Sequence, residues 1–391
     1  MSWEMVKIED LCTIVRGSSP RPQGDPRYYN GKVPRLMIED LTRDGKYVTP
    51  QVDSLTEEGA KLSRPMKKGD LVMTVSGRTG VPAILNVDCC IHDGFVGFRE
   101  LSKIVDIDYL FYYLASLTAT TSQQAVGAIF KNLTTDQLKN IDIPLPPITT
   151  QKRIAEILEA ADALKRKDQE LIQKYDELAQ AIFIDMFGDI MINEHEFGIV
   201  KFGDVCDELF LGLTSKVDYV NEGGFPLIRA TDINKGQLSF DKVKFISDEQ
   251  HRKVTAKRIT KRGDVLISKS GSLGTCAIVD SDKIFSTYES IFTVRTSSNV
   301  LNNIFLVSLV RNPSFQEKLI GGKVGAGVAH LNLNMLREFK FPLPPIGLQE
   351  KYAAIAMNIE KQIAATKENN FYSENIFHTL FQKAFKGELT N

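Results

Sequence analysis

The chain repeats itself. Ile143-Pro144-Leu145-Pro146-Pro147-Ile148, followed by Gln151, returns as Phe341-Pro342-Leu343-Pro344-Pro345-Ile346, followed by Gln349. Upstream, Val6-Lys7-Ile8 with Asp10-Leu11-Cys12 returns as Val200-Lys201-Phe202 with Asp204-Val205-Cys206, and Gly69-Asp70-Leu71-Val72 returns as Gly263-Asp264-Val265-Leu266. Self-similarity on this scale settles the architecture before any local reading, because each copy must be one structural unit. The length agrees: 391 residues exceed the ~250 to 300 at which a single core stops growing.

Hydrophobic residues at 43% and charged residues at 25% place both halves among folded proteins. No apolar run approaches the ~20 residues of a membrane span, and Met1-Ser2-Trp3-Glu4 does not begin a secretory signal. A cytoplasmic location with no membrane contact is the expectation. The five cysteines contain no C-x-x-C pair, which argues against a disulfide framework and a structural zinc. The net charge of −1 is unlike that of a lone DNA-binding domain, whose affinity comes from neutralising phosphates. DNA contact would require local basic patches and partners that add positive charge.

In each half the signals follow one order. An apolar strand pattern (Met5 to Val15; Ile199 to Leu211) leads to a Gly/Pro/Ser-rich loop and a strand ending at Asp40 or Asp232. The Gly-Asp turn and its strand follow, then a glycine loop, short helices, and the Pro-Leu-Pro-Pro hinge. Proline tolerates the threshold of a helix but not its interior, so each hinge fixes where a long helix begins. From Gln151 onward, Ile154, Leu158, Leu164 and Tyr175 belong to a seam recurring every three or four residues; Gln349, Tyr352, Ile359, Ile363 and Phe377 continue the pattern in the second copy. Each helix spans ~37 residues, roughly 55 Å, and needs a partner surface to be stable. The expected class is mixed α/β (α+β): globular domains at 1–148 and 189–346, with long helices at 149–188 and 347–391 pairing antiparallel as a coiled coil in a pseudo-twofold repeat. Packing of each helix on its own domain, or homodimerisation, stays open.

The two copies diverge in the loops between the shared strands, as two binding domains reading different targets would. Neutral drift in surface loops would look similar. Basic and hydroxyl residues in those loops are the candidate DNA contacts: Arg21, Arg43, Lys67, Lys68, Arg78, Thr79 and Lys131 in the first half. In the second half they are Lys216, Arg229, Lys235, Arg258, Lys261, Lys269, Ser272 and Lys323. Nothing carries catalysis. The sequence lacks a G-x-x-x-x-G-K-[ST] phosphate loop, and the five histidines are scattered without metal-ligand spacing, so no catalytic residue, metal or cofactor is assigned to this chain.

Two α/β units, each closing on a Pro-Leu-Pro-Pro hinge, a Gln and a long helix, resemble the specificity (S) subunit of type I restriction-modification systems. Gly17-Ser18-Ser19-Pro20 leading to Tyr29-Asn30-Gly31-Lys32-Val33-Pro34, the paired Gly-Asp strands and Leu331-Asn332-Leu333 add to the likeness. Arg35 follows Pro34 where an aromatic is often seen. The resemblance implies two target recognition domains, each reading half of a bipartite asymmetric site on double-stranded DNA, with the helices setting the unread spacer. It further implies two modification (M) subunits carrying S-adenosylmethionine, and restriction (R) subunits using ATP and Mg. An S protein serving a methyltransferase without R subunits, a coiled-coil interaction scaffold and a nuclease with a degenerate motif remain as rivals.

Overall fold

A computed structural model describes residues 3–77, 79–119, 134–221, 223–234, 236–269, 275–320 and 331–389. The chain packs into two compact units, Met1–Asp168 with Asn369–Asn391, and Gln169–Glu368.

In the first unit a five-stranded sheet runs in the order Thr13–Arg16, Phe95–Arg99, Leu71–Thr74, Pro82–Leu85, Tyr47–Val48, antiparallel except for the last pair. A second sheet is ordered Asp53–Leu55, Tyr29–Leu36, Cys89–Ile91, Arg64–Met66, and its middle pair is parallel. The second unit repeats this plan. One sheet holds Cys206–Leu211, Ile291–Thr296, Val265–Ser268 and Cys276–Ile278, all antiparallel. The other holds Tyr219–Val220, Lys244–Ile246, Phe225–Ile228 and Ser286–Thr287, again with one parallel pair, Phe225–Ile228 beside Ser286–Thr287. The units differ at the sheet edges: Arg64–Met66 is added outside Cys89–Ile91 in the first, Tyr219–Val220 outside Lys244–Ile246 in the second.

The repeated Gly-Asp pairs are turns. Gly69 and Gly263 adopt φ of 88° and 90°, a region that disfavours a side chain. The following aspartates each accept the backbone N–H three residues back, Lys67 to Asp70 and Lys261 to Asp264, both at 2.7 Å. The strands that follow, Leu71–Thr74 and Val265–Ser268, are buried at every position, which is why they read as unbroken apolar runs. The expected single strand from Met5 to Val15 is instead two strands around a helical turn, Ile8–Leu11. Met5–Lys7 leaves the main sheet to pair with Asp142–Pro144 at the hinge, and Gly198–Lys201 does the same with Lys340–Leu343.

The long helices, Ile148–Phe187 and Ile346–Ala384, have 40 and 39 residues. Inside the first unit, Ile154 and Leu158 of the first helix share a core with Phe381 and Ala384 near the end of the second. Lys165 Nζ lies 4.9 Å from the Phe377 ring centroid, and Ser373 Oγ donates to Asp168 Oδ2 at 2.8 Å. Inside the second unit the partners exchange ends: Phe183 and Phe187 of the first helix meet Tyr352 of the second at 5.4 and 5.5 Å between ring centroids. The beginning of each helix therefore lies beside the end of the other, an antiparallel pairing. The first helix stops at Gly188, whose φ is 64°. The second closes on Gly387, whose φ is 78°, with Glu388 N donating back to the Lys383 carbonyl at 3.1 Å; the turn places Phe385 against Tyr109 and Tyr113 at 5.6 and 5.3 Å.

The repeated glutamines lie fully buried at the hinge. Gln151 Nε2 donates to the carbonyls of Ile104 and Pro146 at 2.9 and 2.8 Å, while Oε1 accepts from Asp106 N at 2.8 Å. Gln349 repeats the set with Val300, Pro344 and Asn302 at 3.0, 2.8 and 2.9 Å. Each amide staples its helix to its own domain. Among the described residues no helix is long and apolar enough to cross a membrane.

Candidate nucleic-acid interface

Strand register decides which loops meet. In the first unit Arg16 lies opposite Val96 and Thr74 opposite Phe95, so the segments after Arg16 and Thr74 emerge beside the His92–Gly94 turn that precedes Phe95. The parallel pairing of Leu36 with Ile91 brings Met37 to the same end. The close approach demands glycine: a Cβ on Gly17 would sit 1.9 Å from the His92 carbonyl oxygen, and one on Gly212 sits 2.0 Å from that of Thr287. The second unit gathers Gly212–Asp218, Arg229–Asp232, Lys269 and Tyr288–Ser290 in the same way, through Leu213 N to Thr287 O, Tyr288 N to Ile228 O and Lys269 N to Ser290 O.

In the first unit this end carries a charged network. Arg35, 4% exposed, donates from Nη1 to Asp53 Oδ2 at 2.5 Å and from Nη2 to Ser19 Oγ at 2.8 Å. Ser19 Oγ donates to Asp93 Oδ1 at 2.7 Å, and Arg21 Nη2 donates to Asp93 Oδ2 at 3.2 Å. The Ser19 hydrogen bond, ahead of the neighbouring charges, holds the Asp93 carboxyl below its ordinary range. Arg27 is clamped by Asp25 through Nε and Nη2, at 3.2 and 2.8 Å. The result is a loop with two outward arginines, Arg27 held through two nitrogens and Arg21 through one, both facing solvent where phosphates or base edges can reach them.

A family model described as "Type I restriction modification DNA specificity domain" matches residues 1–174 and again 194–370. The chain belongs to this family. It is 26% identical over 432 residues to the EcoBI specificity subunit of Escherichia coli, covering 100% of this chain and 86% of that one. It is 22% identical over 378 residues to the MjaVIII specificity subunit of Methanocaldococcus jannaschii, covering 92% and 87%. The crystal structure of the type I S subunit from M. genitalium has the same fold at a TM-score of 0.57 and 16% identity, covering 98% of this chain and 96% of that one. As a type I specificity subunit, the chain confers DNA sequence specificity.

The structure sorts the sequence candidates of this specificity subunit by position. Arg21 and the half-buried Thr79 lie at the loop end of the first unit. Arg43 is a strut, bonded to Asp40, Asp44 and the Thr49 carbonyl. Lys67 and Lys68 occupy the Gly69-Asp70 turn at the opposite end of the sheet, and Asp88 pairs Lys67 at 2.8 Å. In the second unit the exposed Lys216, the half-buried Lys269 and Arg229, paired to Asp232 at 2.9 Å, lie at the loop end. Lys261 sits in the opposite turn, and Arg258 lies over the Phe210 ring, 5.8 Å from its centroid. Arg78, Lys131, Lys235, Ser272 and Lys323 lie outside the described residues. On the helices, Gln151, Ile154, Leu158, Gln349, Tyr352, Ile359 and Ile363 are buried, Tyr175 and Phe377 are half-buried, and Leu164 is exposed.

Sequence reading missed Lys46. It is buried between Asp108, at 2.9 Å, and Glu159 on the first helix. Burial opposes its charge, but the two carboxylate hydrogen bonds outweigh that and raise its pKa. It therefore anchors the five-stranded sheet of the first unit to the helix. Among the described residues no group of three or more His, Cys, Asp or Glu side chains could hold a metal ion. The thiols of Cys12, Cys89 and Cys206 are pushed up to about 12 by burial, so they stay protonated and unreactive.

Two histidines give the protein a pH dependence. His251 is buried, stacked on Phe225 with ring centroids 3.7 Å apart, and its Nδ1 is 2.9 Å from Ser286 Oγ. Burial lowers its pKa; burial followed by the Arg35 charge lowers that of His92. A folded-state pKa below the unfolded value gives stability that is complete above about 6.5 and lost as pH falls through the folded pKa. Urea denaturation is expected to give a lower midpoint at pH 5.5 than at pH 7.5, with the gap narrowed in His251→Gln. An equal gap in the variant would remove His251 from this account.

Proposed function

We propose that each globular domain, 1–148 and 189–346, is a target recognition domain reading one half of a bipartite, asymmetric site on double-stranded DNA. The long helices, 149–188 and 347–391, then set the number of unread base pairs and dock two modification subunits. Those subunits carry S-adenosylmethionine and the methyl-transfer chemistry; restriction subunits add the ATP- and Mg-dependent steps. The chain itself is non-catalytic and acts in the cytoplasm.

The observation that carries this reading is one strand topology used twice, with unlike loops gathered at the same end of each sheet. A shared scaffold fixes where a loop is presented, and the loop residues decide what is read. The clamped arginines of the first unit suit direct readout, where a good bidentate pair gives ~1 to 3 kcal/mol of discrimination. The net charge of −1 agrees with a subunit that relies on partners to neutralise much of the phosphate backbone. Exposed leucines recur every seven residues along the first helix: Leu164 in the first unit, Leu171 and Leu178 in the second, at 49%, 41% and 46% exposure. Within the second unit, Leu171 and Leu178 lie one heptad apart on an exposed helical face, which suits a partner surface.

Exchanging residues 1–148 for those of another member of the family is expected to change one half-site of the methylated target and leave the other as it was. Mapping of adenine methylation in cells carrying the complex reads both halves at once. A change in both half-sites would count against modular reading, and methyl transfer by the isolated chain given S-adenosylmethionine would overturn its non-catalytic role.

A further inference from the structure

We infer that Arg35 is a positioning residue for DNA reading by the first unit: it fixes the loop from Gly17 to Tyr28 and, through Ser19 and Asp93, sets the direction of the exposed Arg21 guanidinium. This rests on the reading of the domain as a target recognition domain.

The geometry is a relay from a buried charge to a surface one. Arg35 spends Nη1 on Asp53 and Nη2 on Ser19 Oγ, at 2.5 and 2.8 Å. With its lone pair engaged, the Ser19 hydroxyl directs its proton to Asp93 Oδ1 at 2.7 Å. Asp93 then holds Arg21 Nη2 through its other oxygen, and Arg21 remains 67% exposed. The loop is tied at each neighbouring residue: Ser18 Oγ donates to the Leu62 carbonyl at 3.1 Å, and Tyr29 OH donates to that of Pro20 at 2.8 Å. A guanidinium held in this way is ordered before DNA arrives, which lowers the entropy cost of using it.

The second unit argues that this network is not needed to fold the scaffold. There Leu227 pairs with Ser286 in the parallel register where Arg35 pairs with Cys90. Leu227 is fully buried in an apolar cluster with Leu213 and Ile246. The same strand thus packs with leucine where the first unit places arginine. A buried ion pair gives little or no stability over an apolar replacement, so what the arginine adds is direction. Direction matters at this point because residues 17 to 28 share an end of the sheet with the other converging loops.

The test uses the full chain assembled with its modification subunits, and measures methylation of the cognate duplex against duplexes mismatched in one half-site. Ser19→Ala cuts the relay and keeps the Arg35–Asp53 pair; Arg35→Lys keeps a charge beside Asp53 but loses the rigid planar fork that aims one nitrogen at each partner. Each is expected to lower discrimination in the first half-site about fivefold or more, near the lower end for one bidentate contact. Discrimination in the second half-site should stay unchanged, while the melting temperature falls by a few degrees in a single cooperative transition, because each variant leaves a buried polar group of the network without its partner. In an Arg21→Ala background, Ser19→Ala should add nothing. Unchanged first-half discrimination in Ser19→Ala, an equal loss in both halves, or additive losses with Arg21→Ala would each overturn the inference alone. A wild-type complex with no two-part target would overturn the underlying reading, and the inference with it.

Discussion

Replacing Gln349 with leucine is expected to destabilise the second unit by about 3 to 5 kcal/mol, and Gln151→Leu to do the same to the first. The substitution keeps the volume and removes the amide. Two carbonyls, of Val300 and Pro344, and the N–H of Asn302 then lose their partner inside a site that is fully buried. Each orphaned buried group costs about 1 to 3 kcal/mol, and partial relaxation keeps the total below the simple sum. Because domains are stable by only about 5 to 15 kcal/mol, this removes a large share of the margin. Gln349→Glu sharpens the test, since a carboxylate cannot donate to either carbonyl and is itself desolvated. Burial raises that carboxyl's folded pKa, so the variant's deficit should shrink as pH falls through it. Urea denaturation followed by circular dichroism measures both; a loss below 1 kcal/mol in Gln349→Leu would show that the staple is dispensable.

The same glutamines mark what a sequence conveys and what it withholds. Their repetition behind the Pro-Pro hinge was plain, and so was the helix each one opens. Their task was hidden, because the groups they satisfy lie 45 to 49 residues away for the Asp106, Ile104, Asn302 and Val300 bonds. The helical seam was legible because its 3-and-4 spacing is local. The break between Met5–Lys7 and Thr13–Arg16 was not, since only the pairing with Asp142–Pro144 pulls the first segment off the main sheet. Among site residues, Arg21 and Lys67 look alike as exposed cations in a loop. Strand register puts them at opposite ends of one sheet, and no charge count contains that direction. Arg35 and Asp53 meet across neighbouring antiparallel strands, and Lys46 meets a carboxylate 113 residues ahead. Such contacts follow from topology, which the repeat announced but did not trace.

Inserting seven residues into each long helix, after Asp168 and after Glu368, is expected to lengthen the unread spacer by about three base pairs while both half-sites keep their sequences. These positions are the boundaries of the compact units, so the cores around Tyr109 and Phe305 are left untouched. Seven residues preserve a seam of period 3.5, whereas five would rotate the apolar positions by about 140° from their partners. The added rise is about 10.5 Å at 1.5 Å per residue, which at about 3.4 Å per base pair amounts to three. On the original target only one half-site could then be engaged in register, and binding should fall toward the non-specific level, a loss on the order of a thousandfold or more. Methylation mapping decides the matter directly. Unchanged spacing with altered half-sites would mean that the helices do not act as the ruler, and that the distance between the two readings is fixed elsewhere in the complex.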